Sequence, residues 1–332
     1  MKVLAALLLI LPAAAQSQFD HFQRDLKRAG SELRISDLRA AVVEAGRVVW
    51  QYGAGPIEAP APDEPVIAER LERQAERGRI SLDDPVQLPA GATIRQVLAN
   101  TADGTPGEEV LENRAFFDAL KPIAGSAPMP NAVKFATKPA EPHESLGWFT
   151  QEYAGERILW AYGPRVLLVK LPARNEVLIV SANSNALTEA ARLQDGNIAR
   201  STVVLAWLGK SERDELIDHA LIALYFGNRD ASVALARQAL NKFPELESTP
   251  DVTLLYLFAQ LGLPETQASA TAVIRDHPSL PTAWFYYGQY LENGKRYREA
   301  AACFEKITMH QPPWHDWTVA AAKKELTYLK TY

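Results

Sequence analysis

The sequence predicts an α+β protein, an antiparallel sheet with flanking helices followed by an all-α array of paired helices. Three observations lead there. An amphipathic stretch from Phe19 is followed by two apolar runs about a glycine-containing turn, the pattern of a helix and a β-hairpin. Pro244, Pro278 and Pro312 recur 34 residues apart, each closing a segment with two helix-length apolar periodicities. The 332 residues, 47% hydrophobic and 23% charged, have ordinary globular composition and suffice for two domains.

Each element can be justified in chain order. Met1-Lys2 is a short positive start, Val3 to Leu11 is apolar throughout, and Pro12-Ala13-Ala14-Ala15 supplies the small-residue pattern of a signal peptidase site. Residues 1–15 are therefore expected to be a signal peptide cleaved near Ala15, leaving a periplasmic or secreted chain. The nine apolar residues are too few to span a bilayer, which needs about 20, and no later run approaches that length. Phe19, Phe22, Leu26 and Ala29 share one helical face. Leu38–Val43 and Arg47–Gly53 form a hairpin about Glu44-Ala45-Gly46, whose glycine supplies a positive φ. The prolines at 60, 62 and 65 place the start of the next helix no earlier than about Pro65. Residues 125–142 read as a Pro- and Ala-rich loop.

Charge and cysteine content exclude several functions. Thirty-five basic against 40 acidic residues give a net charge of −5 with no block of one sign, so no nucleic-acid or anionic-membrane footprint exists. The one cysteine, Cys303, rules out an intramolecular disulfide and a Cys-rich zinc site, and in an oxidising compartment it is expected to be buried. The six histidines, His21, His143, His219, His277, His310 and His315, show no metal-ligand spacing. No metal or cofactor is expected.

The run Glu76 to Val86, containing Gly78 and Leu82-Asp83-Asp84-Pro85, and the following Ala92 to Leu98 resemble segments of the serine β-lactamase and penicillin-binding-protein family of class C type. Gly147 to Tyr153, the turn Ala154-Gly155-Glu156, Arg157 to Gly163 and Val166 to Asn183 are similar to that family's last three antiparallel strands, and Asp195 to Leu208 to its closing helix. The resemblance implies a shortened domain of that fold over residues 16–208. It also implies chemistry that can be checked. The family's nucleophilic serine and its lysine, one helical turn apart, fall at Ala61 and Glu64, and no Ser-x-x-Lys occurs in the chain. None of the eleven tyrosines begins a Tyr-x-Asn, and the cation of the facing strand is replaced by Ala161 in Ala161-Tyr162-Gly163. Ser181-Ala182-Asn183 mimics another motif of the family but ends a predicted buried strand, and Asp83-Asp84 reads as a loop-to-helix tie.

In the last third, Trp284, Tyr287, Gly288, Leu291, Ala300, Phe304, Ile307 and Pro312 stand at the spacing of a tetratricopeptide repeat. Gly288 and Ala300 are small where two helices cross, with Trp284 and Phe304 beside the crossing. Two more degenerate copies carry Ala220 and Leu254 at the glycine position and Ser232 and Thr266 at the second small position. Residues 213–332 thus resemble three such repeats plus a capping helix from about Asp316. The resemblance implies a groove lined by Phe285, Gln289, Glu292 and Asn293 in the third copy. The first copy's Ile217, Leu221, Leu224 and Tyr225 are expected to pack on the preceding domain.

The resulting expectation is an exported, non-catalytic protein that binds a protein or peptide through its repeats. The alternative is a serine hydrolase of the β-lactamase-related family, of esterase or peptidase type, weakly active through an unrecognised nucleophile.

Overall fold

The computed structural model describes residues 13–86, 93–99, 120–137, 146–209, 211–248, 252–276, 278, 280–309 and 317–330. Pro312, His143, His277, His310, His315 and most of the expected signal segment lie outside these residues. The fold is α+β: one six-stranded antiparallel sheet with flanking helices, followed by a helical C-terminal region.

Helix α1 (Ala13–Glu32) turns Phe22, Leu26 and Ala29 inward at the i, i+4, i+7 spacing seen in the sequence. Strands β1 (Leu38–Glu44) and β2 (Arg47–Tyr52) form the hairpin, and both Ala45 (φ 47°) and Gly46 (φ 76°) adopt the left-handed region, so the glycine does not carry the turn alone. Helix α2 (Asp63–Glu76) starts two residues before Pro65 rather than at it. Pro65 then occupies the first turn, where a backbone N–H would have had no intrahelical partner. Helix α3 (Ile94–Ala99) follows, and Asp83 reaches it through an ion pair to Arg95 at 2.9 Å while Asp84 accepts from the Ser81 amide, as the loop-to-helix reading required. Within the segment expected to be loop, α4 (Ala132–Ala136) forms because the Asn131 side chain accepts from the amides of Val133 and Lys134.

Strands β3 (Phe149–Tyr153), β4 (Glu156–Gly163), β5 (Val166–Leu171) and β6 (Glu176–Ala182) complete the sheet in the order β2-β1-β6-β5-β4-β3. Side chains alternate strictly: Ile158, Trp160, Leu167, Val169, Leu178 and Val180 face the layer containing α1, whereas Leu159, Ala161, Leu168 and Ile179 face α2 and α4. Both faces are covered, which is why β5 and β6 read as nearly continuous apolar runs. Gly147 (φ 76°) makes the turn into β3 and lets the chain press on α2, since a Cβ there would stand 2.7 Å from the Glu64 carbonyl oxygen.

The single helix expected over residues 195–208 is broken. A short helix α5 (Ala186–Glu189) is followed by 3-10 turns at Leu193–Asp195 and Ile198–Arg200, and only α6 (Thr202–Leu208) is α-helical. Gly196 at φ 77° ends the first turn, and Asn197 caps the second by accepting from the Ala199 amide.

The C-terminal region consists of α7 (Glu212–Tyr225), α8 (Arg229–Lys242), the short α9 (Glu245–Ser248), α10 (Val252–Leu261), α11 (Thr266–Asp276), α12 (Pro281–Asn293), α13 (Tyr297–Met309) and α14 (Trp317–Leu329). The small positions sit at helix crossings. Ser232, fully buried, donates its hydroxyl to the Ala220 carbonyl at 2.7 Å. A Cβ on Gly288 would lie 2.5 Å from Cε1 of buried Phe304. Ala300 is buried in the same cluster, and Trp284 donates its indole N–H to the Pro278 carbonyl at 3.0 Å. Pro244 lines an open groove with Pro264 and Arg275.

Two outcomes test this packing. Gly288→Ala should destabilise the protein by about 2 kcal/mol, because the ring of Phe304 is walled in and the clash exceeds the helix-propensity gain of about 1 kcal/mol. Gly288→Ala/Phe304→Leu should recover part of the loss in urea unfolding. Cys303 is buried, and burial pushes its thiol up to about 11. Maleimide should therefore label the native protein far more slowly than the urea-unfolded chain.

Candidate functional site

The positions expected from a catalytic domain are packed shut. Ala61 and Ala161 are both buried in one apolar cluster with Ile57, Val66, Phe135, Trp148 and Leu168. Glu64 is buried in the first turn of α2. Ser181, also buried, is in β6, where it pairs with Arg39 of β1 and Val166 of β5. Among the described residues, no three His, Cys, Asp or Glu side chains converge as metal ligands, and no helix is long and apolar enough to cross a membrane.

The expected groove residues separate. Phe285 is a core residue, its ring 5.7 Å from Phe304, because the helix turns this position toward α13. Gln289 accepts from the Gln260 amide at 3.0 Å, Glu292 is half-buried, and Asn293 is exposed. Only Asn293 of the four lines the polar furrow of about 590 Å³ formed with Arg229, Gln260, Gly262, Tyr290 and Arg296. Arg229 donates to the Gln260 and Leu261 carbonyls at 2.7 Å each, so it satisfies the C-terminal end of α10 while holding its charge at the furrow wall. Arg296 is paired with Glu299 at the opposite wall.

Tyr256 and Gln260 are one helical turn apart on α10, as are Tyr286 and Tyr290 on α12. Neither Tyr256 nor Tyr286 lines the furrow, and Tyr286 is buried in the helical core. Here a residue that sequence reasoning missed enters from the sheet side. The Arg192 guanidinium stands 3.6 Å from the Tyr256 ring centroid and donates to the Tyr286 hydroxyl at 2.5 Å. A signal existed: Ile222, Tyr256 and Tyr290 recur at the 34-residue period, as do Asp218, Val252 and Tyr286.

The docking of α7 on the sheet layer also differs from expectation. Ile217 and Leu221 pack with Leu254, Leu257 and Phe258 inside the helical region, and Leu224 borders the same cluster. Ile222 and Phe226 meet the sheet-side core instead, and Tyr225 donates to Glu189 at 3.1 Å. The helical phase places 222 and 226, not 217 and 221, on that side.

At this seam lie buried charges. Asp214 pairs with Arg200 at 3.3 Å, and its carboxylate also accepts from the hydroxyls of Tyr153 (2.8 Å) and Ser211 (2.7 Å). Burial opposes the Asp214 charge, but these hydroxyls and the guanidinium hold its carboxyl below the usual range. Asp218 accepts from the Thr202 hydroxyl, and burial pushes its carboxyl up to about 7. His219 faces Glu32 at 3.4 Å, and the Glu32 carboxylate raises its pKa against the opposing effect of burial.

No family model and no curated protein matches the chain. A solved structure described as SurE with D-Leu shares 16% sequence identity, covers 55% of this chain and 76% of its own, and has a TM-score of 0.37, a likeness too loose to carry an argument. The kinship with serine β-lactamases implied by residues 19–208 is corrected accordingly: neither family models nor curated proteins support it, and the solved structure named above is described as SurE and not as a β-lactamase. The motifs that suggested it are local devices. The Asp83 and Asp84 ties, the Gly147 turn and the Ala154-Gly155 hairpin are ways any antiparallel sheet can reverse its chain and anchor a helix. The class defined here is an α+β protein with a helical C-terminal region.

The seam predicts a pH dependence. Between its ordinary 3.8 and about 7, Asp218 keeps a proton when folded that it releases when unfolded, so its contribution falls as pH rises through that interval. His219, raised in the fold, contributes below its ordinary 6.5, and that contribution is lost as pH rises through the folded value. Asp214 acts oppositely, its contribution being lost as pH falls below 3.8. The urea midpoint should therefore decline from mildly acidic pH toward pH about 8, and Asp218→Asn should flatten the decline. An unchanged slope in that variant would assign the pH dependence elsewhere.

Proposed function

We propose that the protein is an exported binding module that holds an extended protein or peptide segment along the groove between α10 and α12. The observation that carries this reading is the open polar furrow of about 590 Å³ walled by Arg229, Gln260, Tyr290, Asn293 and Arg296. In this reading residues 213–332 are three tetratricopeptide repeats with a capping helix. The 34-residue spacing of Pro244, Pro278 and Pro312 and the small residues at the Ala220–Ser232 and Gly288–Phe304 crossings support it. The apolar start of the chain supports export with cleavage near Ala15.

Peptide display against the full mature chain tests the proposal. Selected peptides should lose at least about tenfold in affinity on Tyr290→Ala or Asn293→Ala, equivalent to about 1.4 kcal/mol. Peptides unaffected by both substitutions would place binding elsewhere. Covalent labelling of the protein by a fluorophosphonate would replace this reading with a hydrolytic one.

A further inference from the structure

Cleavage after Ala15 would leave Gln16 at the head of the exported chain. That residue belongs to α1, which begins at Ala13 and runs unbroken to Glu32. The helix is tied to the sheet almost at once: the Phe19 ring stacks on Trp50 at 5.5 Å with the planes 8° apart, and buried Phe22 meets the same indole at 5.1 Å. A cut at this bond therefore creates a chain end on the first turn of an anchored helix. Backbone N–H groups at such an end have no intrahelical partner, and the helix dipole places partial positive charge beside them. No acidic residue stands among Gln16, Ser17, Gln18 and Phe19 to offset the ammonium that the cut adds.

We propose that Gln16 is a modification site, closing to pyroglutamate once cleavage makes it the first residue of the chain. The inference rests on the export reading above, with its cut near Ala15, and adds what becomes of the new end. The neutral α-amine attacks the side-chain carbonyl carbon Cδ of the same residue, and the N–Cδ bond that forms completes a five-membered lactam. The Cδ–Nε2 bond breaks, and ammonia leaves with the proton that the amine gives up. No co-reactant is consumed. The lactam carries no charge, so the unfavourable meeting of an ammonium with the positive end of the helix dipole is removed while an N–H donor stays. Asparagine, one methylene shorter, would have to close a four-membered ring and does not follow this path. An end without a free amine also resists aminopeptidases, so the residues ahead of the anchored Phe19 are retained.

The test expresses the whole chain, leader included, in a secreting bacterial host, holds the exported protein at neutral pH for several days, and follows it by intact-mass spectrometry and Edman degradation. The wild type should reach the mass of residues 16–332 less one ammonia and yield no sequence. Treatment of the unfolded chain with pyroglutamyl aminopeptidase should then expose Ser17 as the first residue. Gln16→Asn keeps an amide side chain, and it should hold the full mass of its own mature chain and sequence directly from Asn. A wild type that still begins with a free Gln16 would overturn the proposal while leaving export and the cut after Ala15 in place. A chain cut at another bond, or not cut at all, would overturn it together with the export reading. The mass alone tells the two failures apart.

Discussion

Arg200 and Asp214 meet at 3.3 Å where the end of the sheet layer turns into the first long helix of the C-terminal region, at 4% and 2% side-chain exposure. Removing two charges from water is expensive, and a buried pair is tolerated only when its remaining hydrogen-bonding capacity is used. Asp214 meets that demand. One oxygen takes Arg200 and Arg213, and the other takes the hydroxyls of Tyr153 on β3 and Ser211 at the helix start. The carboxylate thereby links a strand, a 3-10 turn and a helix N-terminus in one geometry. Sliding α7 by a single residue would strand the charge, so the ion pair sets the orientation of α7 even though hydrophobic burial supplies most of the stabilisation.

With α7 fixed, the rest of the helical region follows by short-range packing. Helices α7 and α8 press together through Ser232 on the Ala220 carbonyl, and α12 and α13 through Gly288 under Phe304. Helices α10 and α12 thus lie side by side with Tyr256, Tyr286, Gln260 and Tyr290 on facing turns, and Gln260 bonds Gln289 across the gap. The loop after α5 comes from the sheet layer, so Arg192 can reach those tyrosines only because that layer and α7 are held in one arrangement. The contact of Arg192 with Tyr256 and Tyr286 is thus a consequence of the seam.

Much of the fold could be read from the residues. The phase of Phe22, Leu26 and Ala29, the hairpin about Ala45-Gly46, the loop-to-helix tie of Asp83 and the close crossing at Gly288 are encoded within a few positions of one another. Sequence pattern and structure part where a distant partner decides the outcome. Phe285 was expected in a groove, but its neighbour Phe304 draws it into the core. Ile217 and Leu221 were expected against the sheet, yet α10 offers Leu254, Leu257 and Phe258. The helix expected over 195–208 yields to a left-handed Gly196 and a capping Asn197. Most instructive, short motifs shared with β-lactamases describe turns and caps that many sheets use, and they did not establish common descent.

By itself, the sequence determined the α+β class, the helix phases, the turn positions and the 34-residue rhythm of the last third. These follow from side-chain periodicity and backbone conformational preference, which act over one or two turns of chain. Only the tertiary structure decided which side of each amphipathic helix meets which neighbour, how Arg200 finds Asp214, and why Arg192 lies on tyrosines 64 and 94 positions away. Such pairings depend on desolvation and on the packing of whole layers, and no local window of sequence contains both partners.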